Sequence, residues 1–392
     1  MGLRILLVAN TLPPTDISGV GEQVMQLAGG LRQAGHEVEI LGRGAGGARG
    51  PKILFPLTVV LPFLRVRRRL RPHVIQVHES DGVGVALATA ILRGLWETST
   101  TLVALLQVSY VEEIRAVRTL KSGETALGRP GSVERGFRWF KGPLQVLLGW
   151  MTTWCADLIL TPSARTGQEI VSDYGAGEVR VLPNVKQPVG ERVERSDDEG
   201  FLLFVGRLRI RKGVEVLLAA LERLEAGAGA PRLRIVGDGE HREALVEAVD
   251  RFGVGDRVEF VGRCDAEAVR ELLRRSRALV VPSTYEGMPL VILEAMEEAV
   301  PVIASRVSGI PEVVSDRVTG WLVPSEDPEA LADAIAQAQH QPEEARRRGT
   351  EGRARLDREF RPDRAVELWE KHVGAAARKR VSRLAGKSEE TS

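Results

Sequence analysis

Residues 278–294 have the sequence ALVVPSTYEGMPLVILE. The apolar run at 278–281 is typical of a buried parallel strand, and the polar residues that follow, up to Gly287, predict a loop. Pro289 is expected at the first position of a helix, where proline is favoured. A strand, a glycine-containing loop and a helix N-terminus together predict an anion site, because unpaired backbone N–H groups and the helix dipole both face the loop.

Two carboxylates flank this predicted anion site. Glu286 lies just before the helix, and Glu294 lies more than one turn inside it. Carboxylates repel phosphate, so the expected partners of both side chains are hydroxyl groups. The pattern favours a ligand that carries a diphosphate between two polyol groups, which describes a nucleotide sugar.

The composition is that of a globular protein with two domains. The chain has 392 residues, of which 43% are hydrophobic and 27% charged, and its formal net charge is +1. This charge gives no general attraction to nucleic acid. Cys155 and Cys264 lie in different halves and favour reduced thiols in the cytoplasm. The N-terminal apolar run is too short for a signal peptide, and no run approaches the roughly 20 residues of a membrane span.

Short strand patterns alternate with helical patterns along the whole chain, which predicts parallel sheets with crossover helices. The polar segment 187–200 lacks a periodic apolar pattern and predicts a linker. We therefore expect an α/β protein with two Rossmann-like, doubly wound domains facing a cleft. The strands are predicted near residues 3–8, 37–41, 73–77, 101–106, 158–160 and 178–182, and near 201–206, 232–236, 257–261, 277–281, 301–304 and 321–323.

Several segments resemble the glycosyltransferases of family GT4 (glycosyl transferases group 1), which are retaining enzymes with the GT-B fold. One is the pair of glutamates at 286 and 294; another is VGRL at 205–208 followed by KGV at 212–214. Further matches are LPNV at 182–185, in which Val185 replaces the usual glycine, IVGDG at 235–239, VEFVG at 258–262, PVIA at 301–304 and GIPE at 309–312. The N-terminal half matches only at GVGE, residues 19–22, and GHEV, residues 35–38.

The resemblance implies a domain organisation. Residues 1–186 would form the acceptor-binding domain, and residues 187–362 the domain that binds the nucleotide-sugar donor. The last helix, at about 363–385, would cross back to the N-terminal domain.

The resemblance also implies roles for individual residues. Arg207 and Lys212 would hold the diphosphate and stabilise the leaving group, Glu294 would bind the ribose, and Glu286 the transferred sugar. The catalytic candidates are therefore Glu286, Arg207 and Lys212. The predicted donor-binding residues are Gly19, Gly21, Arg207, Lys212, Gly237, Gly262, Arg263, Glu286, Gly287, Met288, Pro289, Leu290, Val291 and Glu294.

Each of these assignments has a simpler structural alternative. Arg207 and Lys212 could belong to a solvated basic loop, and the two glutamates could be acids favoured at a helix start by the dipole. Gly19 and Gly21 are expected in the loop between the first strand and the first helix, and these and the other glycines could form ordinary turns. Arg263 is equally compatible with contact to the base and with a solvated surface position. The sequence contains no Asp-x-Asp segment and no His/Cys ligand spacing, so we predict no metal and no cofactor besides the donor.

The acceptor side departs from the family pattern. Many members carry a histidine after the fourth strand, where this chain has Gln107. An amide cannot take up a proton at neutral pH, so a reaction that relies on an imidazole would fail, whereas one in which the leaving phosphate accepts the proton would survive. His78 and Gln107 are the acceptor-side candidates, although a surface histidine is an equal alternative for His78.

The predicted function is transfer of a sugar from a nucleotide-diphosphate sugar to a hydroxyl acceptor: a glycan, a lipid-linked molecule or a small molecule. A non-catalytic nucleotide-sugar-binding scaffold and a sugar-nucleotide epimerase of the same fold remain alternatives. No nucleic acid partner is expected.

The segment 112–154 is the least similar to the family and combines basic with aromatic residues. We favour helices that cover the sheet with their aromatic side chains inward. The alternative is a surface in peripheral contact with the inner face of the membrane, which would suit a lipid-linked acceptor in polysaccharide or glycolipid biosynthesis.

Overall fold

The computed structural model describes residues 2–12, 19–43, 51–95, 99–119, 136–188, 200–224, 230–378 and 380. The chain divides into two compact units. Unit 1 consists of Met1–Val111, Pro143–Gln187 and Arg361–Ser392, and unit 2 of Glu112–Gly142 and Pro188–Phe360. Residues 112–142 thus group with unit 2, whereas the sequence analysis assigned all of 1–186 to one domain.

Each unit contains a parallel sheet of six strands. The order in unit 1 is β2-β1-β3-β4-β5-β6, with β1 (Arg4–Ala9), β2 (Glu37–Gly42), β3 (Val74–His78), β4 (Thr101–Leu105), β5 (Leu158–Thr161) and β6 (Val179–Val181). The order in unit 2 is β12-β11-β10-β7-β8-β9, with β7 (Phe201–Val205), β8 (Leu233–Val236), β9 (Val258–Gly262), β10 (Ser276–Val281), β11 (Val302–Ser305) and β12 (Gly320–Val323). The predicted α/β fold class is confirmed. The first and last residues of each strand lie within one residue of the predicted ones.

The helices of unit 1 connect successive strands and flank the sheet. They are α1 (Gly19–Gln33), α2 (Phe55–Thr58), α3 (Val60–Leu70), α4 (Val83–Leu95), α6 (Gly142–Cys155) and α7 (Ala164–Tyr174). Helix α5 (Tyr110–Thr119) has its first two residues in unit 1 and the others in unit 2. The other helices of unit 2 are α8 (Val214–Arg223), α9 (Arg242–Arg251), α10 (Ala266–Arg275), α11 (Leu290–Glu297), α12 (Ile310–Val313), α13 (Pro328–His340) and α14 (Pro342–Glu359). The final helix, α15 (Pro362–Trp369), continues into a π-helical turn at Glu370–Gly374.

Alternate residues of each central strand belong to different hydrophobic clusters, because successive side chains of a strand point to opposite faces of the sheet. In unit 1, Leu6 packs in the cluster of α2, α3, α4, α6 and α7, whereas Leu7 packs in the cluster of α1 and α15. In unit 2, Phe204 packs with α8, α9 and α13, whereas Leu203 packs with α10, α11, α12 and α14. Both sheets are therefore covered on both faces, as parallel sheets usually are.

Helix α15 belongs to unit 1 and packs against α1. Trp369 is fully buried, and its indole Nε1 donates a hydrogen bond to Oε1 of Gln76 at 2.8 Å. Gly30 permits the close approach of the two helices, since a Cβ there would lie 2.7 Å from Cγ2 of Val366. Helix α15 is thus anchored in the core of the first unit.

The aromatic residues of α6 differ from their prediction. Trp150 and Trp154 were expected to point inward, but their side chains are exposed. The expectation is wrong for these two residues because α6 buries its opposite side, which includes Thr152 and Cys155. Among the residues that the structure describes, none of the helices is long and apolar enough to cross a membrane.

Candidate functional site

The strand order of unit 2 reverses between β7 and β10. From β7 the chain proceeds through β8 to β9 on one side, and it then returns to β10, β11 and β12 on the other. In open parallel sheets, ligands bind outside the carboxyl ends of the strands at such a switch point. The loops that follow β7 and β10 contain Arg207, Lys212 and Glu286.

These two loops are joined by their backbones. The Thr284 N–H donates to the Arg211 carbonyl oxygen at 2.8 Å. Gly213 has a φ of 67°, and a Cβ there would lie 1.9 Å from the carbonyl oxygen of Pro282. Only glycine fits this close approach, so the "KG" pair of the sequence has a structural reason.

Glu286 is buried and lies at the centre of a charged cluster whose two cations are partly buried. Its Oε1 accepts hydrogen bonds from Lys212 Nζ and, at 2.9 Å, from Ser283 Oγ. Arg211 Nη1 lies 3.9 Å from Oε2 of the same carboxylate. The structure therefore brings together two of the three predicted catalytic residues, and it adds Arg211 and Ser283, which sequence reasoning missed.

Electrostatics keep the Glu286 carboxylate charged. Burial by itself raises the pKa of this carboxyl, but Lys212 and Arg211 outweigh that effect, so the pKa lies below its ordinary value of 4.5. Burial lowers the pKa of the Lys212 ammonium; Glu286 opposes this effect and Arg211 reinforces it. Lys212 can therefore contact an incoming anion only if its ion pair with Glu286 separates.

Arg207, the third predicted catalytic residue, lies apart from this cluster. Its side chain is 64% exposed, and its Nε lies 3.5 Å from Oε2 of Glu240. The other oxygen of Glu240 lies 2.9 Å from Nε of Arg209. Glu240 thus lies beside both Arg207 and Arg209 of the loop after β7. Its position after the GDG segment in the sequence did not predict this role.

Helix α11 begins one residue later than predicted. Pro289 is its N-cap, with an extended ψ of 123°, and Leu290 is its first residue. Gly287 and Met288 are buried before it, and Val291 follows in the first turn, where backbone N–H groups have no partner within the helix. Glu294 is partly exposed farther along α11.

The glycines after β8 and β9 support the β7 loop. Gly237 has a φ of 132°, and a Cβ there would lie 1.9 Å from the Gly206 carbonyl oxygen. Its N–H donates to the carbonyl oxygen of Gly262 at 2.7 Å. Gly262 also has a positive φ, of 84°, and the side chain of the neighbouring Arg263 is exposed. Gly237 thus sets the position of the backbone just before Arg207.

In unit 1 the strand order reverses between β1 and β3. Gly19 and Gly21 form the first turn of α1, not a loop as the sequence analysis expected. The loops after the two strands are joined, since Asn10 Nδ2 donates to Oδ2 of Asp81 at 2.8 Å. The carboxyl ends of β1 and β3 therefore meet at one polar position.

His78 and Gln107 differ in how they are placed. His78 is the last residue of β3, not a residue of the following loop, and its ring is buried 3.0 Å from the Gln76 amide nitrogen. Burial lowers the pKa of His78 to about 3, so the ring is neutral, and the alternative of a surface histidine is wrong. Gln107 exchanges two hydrogen bonds, of 3.1 and 3.0 Å, with the side chain of Asn184.

Glu79 is a residue of this region that sequence reasoning did not single out. Its backbone has φ 61° and ψ 176°, a region that is essentially restricted to glycine. Its carboxylate accepts hydrogen bonds of 2.9 Å from the Gln107 N–H and from the Tyr110 hydroxyl. A strained backbone held by its own side chain, beside a switch point, is typical of a functional position.

Among the described residues, we find no group of three or more His, Cys, Asp or Glu side chains that could hold a metal ion.

Two family profiles cover nearly the whole chain. Glycosyl transferases group 1 matches residues 188–355, and Glycosyltransferase Family 4 matches residues 17–185. The glycogen synthase of Mycobacterium tuberculosis is 27% identical over 405 residues, which covers 91% of each chain. The chain belongs to the GT4 glycosyltransferases, and the predicted family and class of enzyme are confirmed. It transfers a sugar from a nucleotide sugar to an acceptor.

Solved structures show the same fold. Sucrose-phosphate synthase from Thermosynechococcus elongatus has a TM-score of 0.72 and 24% identity, with 99% of each chain covered. Anabaena HepE in complex with UDP-glucose has a TM-score of 0.69 and 17% identity, with 95% of this chain and 100% of that chain covered. The architecture is therefore GT-B.

Proposed function

We propose that this glycosyltransferase retains the configuration of the sugar and works without a metal ion, with the donor bound by unit 2 and the acceptor by unit 1. The observation that carries the proposal is the cluster of Glu286, Lys212 and Arg211 at the switch point of unit 2. It combines cations suited to a diphosphate with a carboxylate suited to sugar hydroxyls.

Each donor group has a proposed partner in unit 2. Arg207 and Lys212 bind the diphosphate, and backbone N–H groups at the start of α11 bind its terminal phosphate. Glu294 accepts hydrogen bonds from the ribose, and Glu286 from the transferred sugar. The complex of HepE with UDP-glucose makes a uridine nucleotide the first donor to test.

Donor binding requires a rearrangement of the charged cluster. Lys212 is hydrogen-bonded to Glu286 in the structure. A diphosphate competes with that carboxylate for the ammonium group, and the carboxylate is then free to accept hydrogen bonds from the sugar. The ion pair thus keeps both groups in place before the donor arrives.

Positive side chains can supply the stabilisation that other transferases obtain from a metal ion. The bond between the anomeric carbon and the diphosphate oxygen breaks, and negative charge develops on the leaving phosphate. The acceptor oxygen then bonds to the same face of that carbon, and its proton passes to the leaving phosphate. No side-chain base is required, which is consistent with Gln107 at the position where many members of the family have histidine.

The proposed acceptor is a hydroxyl group of a glycan or a lipid-linked molecule, in polysaccharide or glycolipid biosynthesis. We place the enzyme in the cytoplasm, in peripheral contact with the inner face of the membrane. The free thiols of Cys155 and Cys264 support a reducing compartment.

Proton NMR of the sugar released from UDP-glucose, or from the preferred donor, tests this function in the presence of EDTA. We expect the α-anomer to appear first, at an unchanged rate when EDTA is added, and release to be much slower in Glu286→Gln. Initial release of the β-anomer would contradict retention, and inhibition by EDTA would contradict metal independence. Conversion of the donor into another nucleotide sugar without an acceptor would indicate an epimerase instead.

A further inference from the structure

One face of the unit 1 sheet is covered by a group of helices that we call the wide layer. It consists of the turn Lys52–Leu54 and the helices α2, α3, α4, α6 and α7. These helices share one hydrophobic cluster, to which Phe55, Phe63, Val85, Cys155 and Ile170 contribute. Their opposite sides form the outer surface of the layer.

This outer surface is unusually apolar. Leu57 on α2 and Trp154 on α6 are each 73% exposed, and Ile91 on α4 is 61% exposed. Of the large apolar side chains that are exposed in the described part of unit 1, only Met25 lies outside the wide layer, on α1. Single exposed apolar residues are normal on a protein surface, but their concentration on one layer marks an interaction site.

The exposed residues follow helical spacing, so they form continuous stripes. Leu57 and Leu61 are four residues apart, and Leu144, Leu147, Trp150 and Trp154 are three or four apart on α6. Helix α6 contains no charged residue at all. The stripe on α6 therefore presents apolar surface along the length of that helix, whereas the pair Leu57 and Leu61 spans α2 and the start of α3.

Two basic residues follow Leu57 and Leu61 along the chain. Arg65 and Arg68 are exposed on α3 beyond Leu61, and neither forms an ion pair with any described residue. The turn Lys52–Leu54 and the helices α2, α3, α4 and α6 contain no acidic residue. The two acidic residues of α7 are already engaged, since Glu169 is buried and pairs with Arg165, and Asp173 accepts a hydrogen bond from Ser109 Oγ. The surface thus combines leucine and tryptophan with two arginines, Arg65 and Arg68, that have no ion-pair partner in the part of the chain that the structure describes.

We propose that the wide layer is a docking face for an anionic lipid bilayer. Apolar stripes with tryptophan and arginine suit the membrane interface, where the rings and leucines reach the boundary of the acyl chains and the guanidinium groups contact lipid phosphates. A symmetric dimer through the same face would instead place the basic residues of two copies together without acidic partners. The charge of the face therefore favours lipid over a second copy.

Co-sedimentation with phosphatidylcholine vesicles, with and without phosphatidylglycerol, tests this proposal at low salt. Wild type should bind the anionic vesicles, with a blue shift of tryptophan fluorescence, and added salt should weaken the binding. Trp150→Ser/Trp154→Ser should reduce partitioning about tenfold or more, because each ring would leave the lipid. The variant Arg65→Gln/Arg68→Gln should still bind vesicles, but it should no longer prefer those that contain phosphatidylglycerol.

Matched controls separate docking from folding and from general charge. Met25→Ser removes the exposed apolar residue outside the layer, and Arg346→Gln/Arg358→Gln removes two exposed cations from α14 of unit 2. Both should bind vesicles like wild type, and all variants should retain the wild-type circular dichroism spectrum and Tm because the substituted side chains are exposed.

Three results would overturn the proposal. They are no binding of wild type to anionic vesicles, equal binding by the tryptophan variant, and a lipid-free dimer that Trp150→Ser/Trp154→Ser converts to a monomer. The last result would identify a second copy of the chain as the occupant. The proposal rests on the peripheral membrane contact in the proposed function and would fail together with that contact. None of these outcomes depends on donor binding, so sugar transfer itself would still stand.

Discussion

The carboxylate of Glu286 and the ammonium of Lys212 form a partly buried ion pair that joins the loops after β7 and β10. The two residues are 74 positions apart in the chain. Their pairing shows how the fold assembles the predicted donor site from separate segments. It also means that each group has a partner before any donor binds.

Neutralising Glu286 should separate binding of the nucleotide from transfer of the sugar. In Glu286→Gln the diphosphate no longer competes with a carboxylate for Lys212, so the Kd for UDP, or for the preferred nucleoside diphosphate, should fall about tenfold, equivalent to ~1.4 kcal/mol. Transfer should fall by about 10² or more because the sugar loses a charged hydrogen-bond acceptor. Isothermal titration calorimetry and a transfer assay measure the two effects.

The same substitution should destabilise the protein without ligand. Two cations whose side chains are 17% and 19% exposed would remain beside a neutral amide, and the loss should be smaller than the roughly 3 kcal/mol or more that follows when a fully buried pair is broken. Glu222→Gln, on the exposed side of α8, is the matched control. It should change neither the affinity for UDP nor the stability of the protein. Weaker UDP binding by Glu286→Gln would show that the carboxylate does not compete with the diphosphate.

Gly237→Ala should disturb the β7 loop from a distance. The new Cβ would lie 1.9 Å from the Gly206 carbonyl oxygen, so the backbone before Arg207 must move. We expect a lower Tm and a smaller stabilisation by the nucleoside diphosphate. Gly255→Ala is the control, since its Cβ would lie 3.7 Å from Cγ1 of Val249, an ordinary contact distance. Equal behaviour of the two variants would mean that Gly237 does not position the loop.

His78 should make stability depend on pH. Its pKa is lowered to about 3 in the folded protein, whereas an unfolded histidine titrates near 6.5. The unfolded chain therefore binds the extra proton, and stability falls as the pH drops from about 6.5 toward 3, by up to ~1.4 kcal/mol per pH unit.

Thermal unfolding of wild type and His78→Gln between pH 7 and pH 4 measures this contribution. The Tm of wild type should fall further than that of the variant as the pH is lowered. His340→Gln, which removes an exposed histidine, should follow wild type. Parallel Tm curves for wild type and His78→Gln would mean that His78 is protonated in the folded protein.

The backbone of Glu79 allows a comparison of two truncations. Alanine and glycine both remove the carboxylate that binds the Gln107 N–H and the Tyr110 hydroxyl, but only glycine adopts φ 61° and ψ 176° without strain. Glu79→Gly should therefore be more stable than Glu79→Ala by about 1 kcal/mol. A higher Tm for the alanine variant would show that the conformation is not strained.

The sheets could be predicted because their signals are local. Each strand is a short apolar run bounded by polar or glycine-containing segments, and the family segments after β7 and β10 contain Arg207, Lys212 and Glu286. The rest depends on contacts between distant parts of the chain. No local pattern shows that Ser283 and Arg211 complete the cluster around Glu286, or that Glu79 adopts a left-handed conformation.

The exposed side of α6 was predicted wrongly for a related reason. A stripe of leucine and tryptophan has the same spacing whether it packs on a sheet or faces outward. The buried side of α6 is formed instead by small and polar residues such as Thr152 and Thr153. Only the tertiary structure decides between the two sides.

Thermal-shift titration of wild type and Lys212→Ala with UDP, GDP, ADP, TDP and their common sugars tests the central claim most directly. We predict that one nucleotide family stabilises wild type selectively, because its diphosphate replaces Glu286 as the partner of Lys212, and that Lys212→Ala loses this stabilisation. Arg223→Ala, on α8, should respond like wild type. Equal stabilisation of wild type and Lys212→Ala, or none by any of these nucleotides, would contradict the assignment of the donor site.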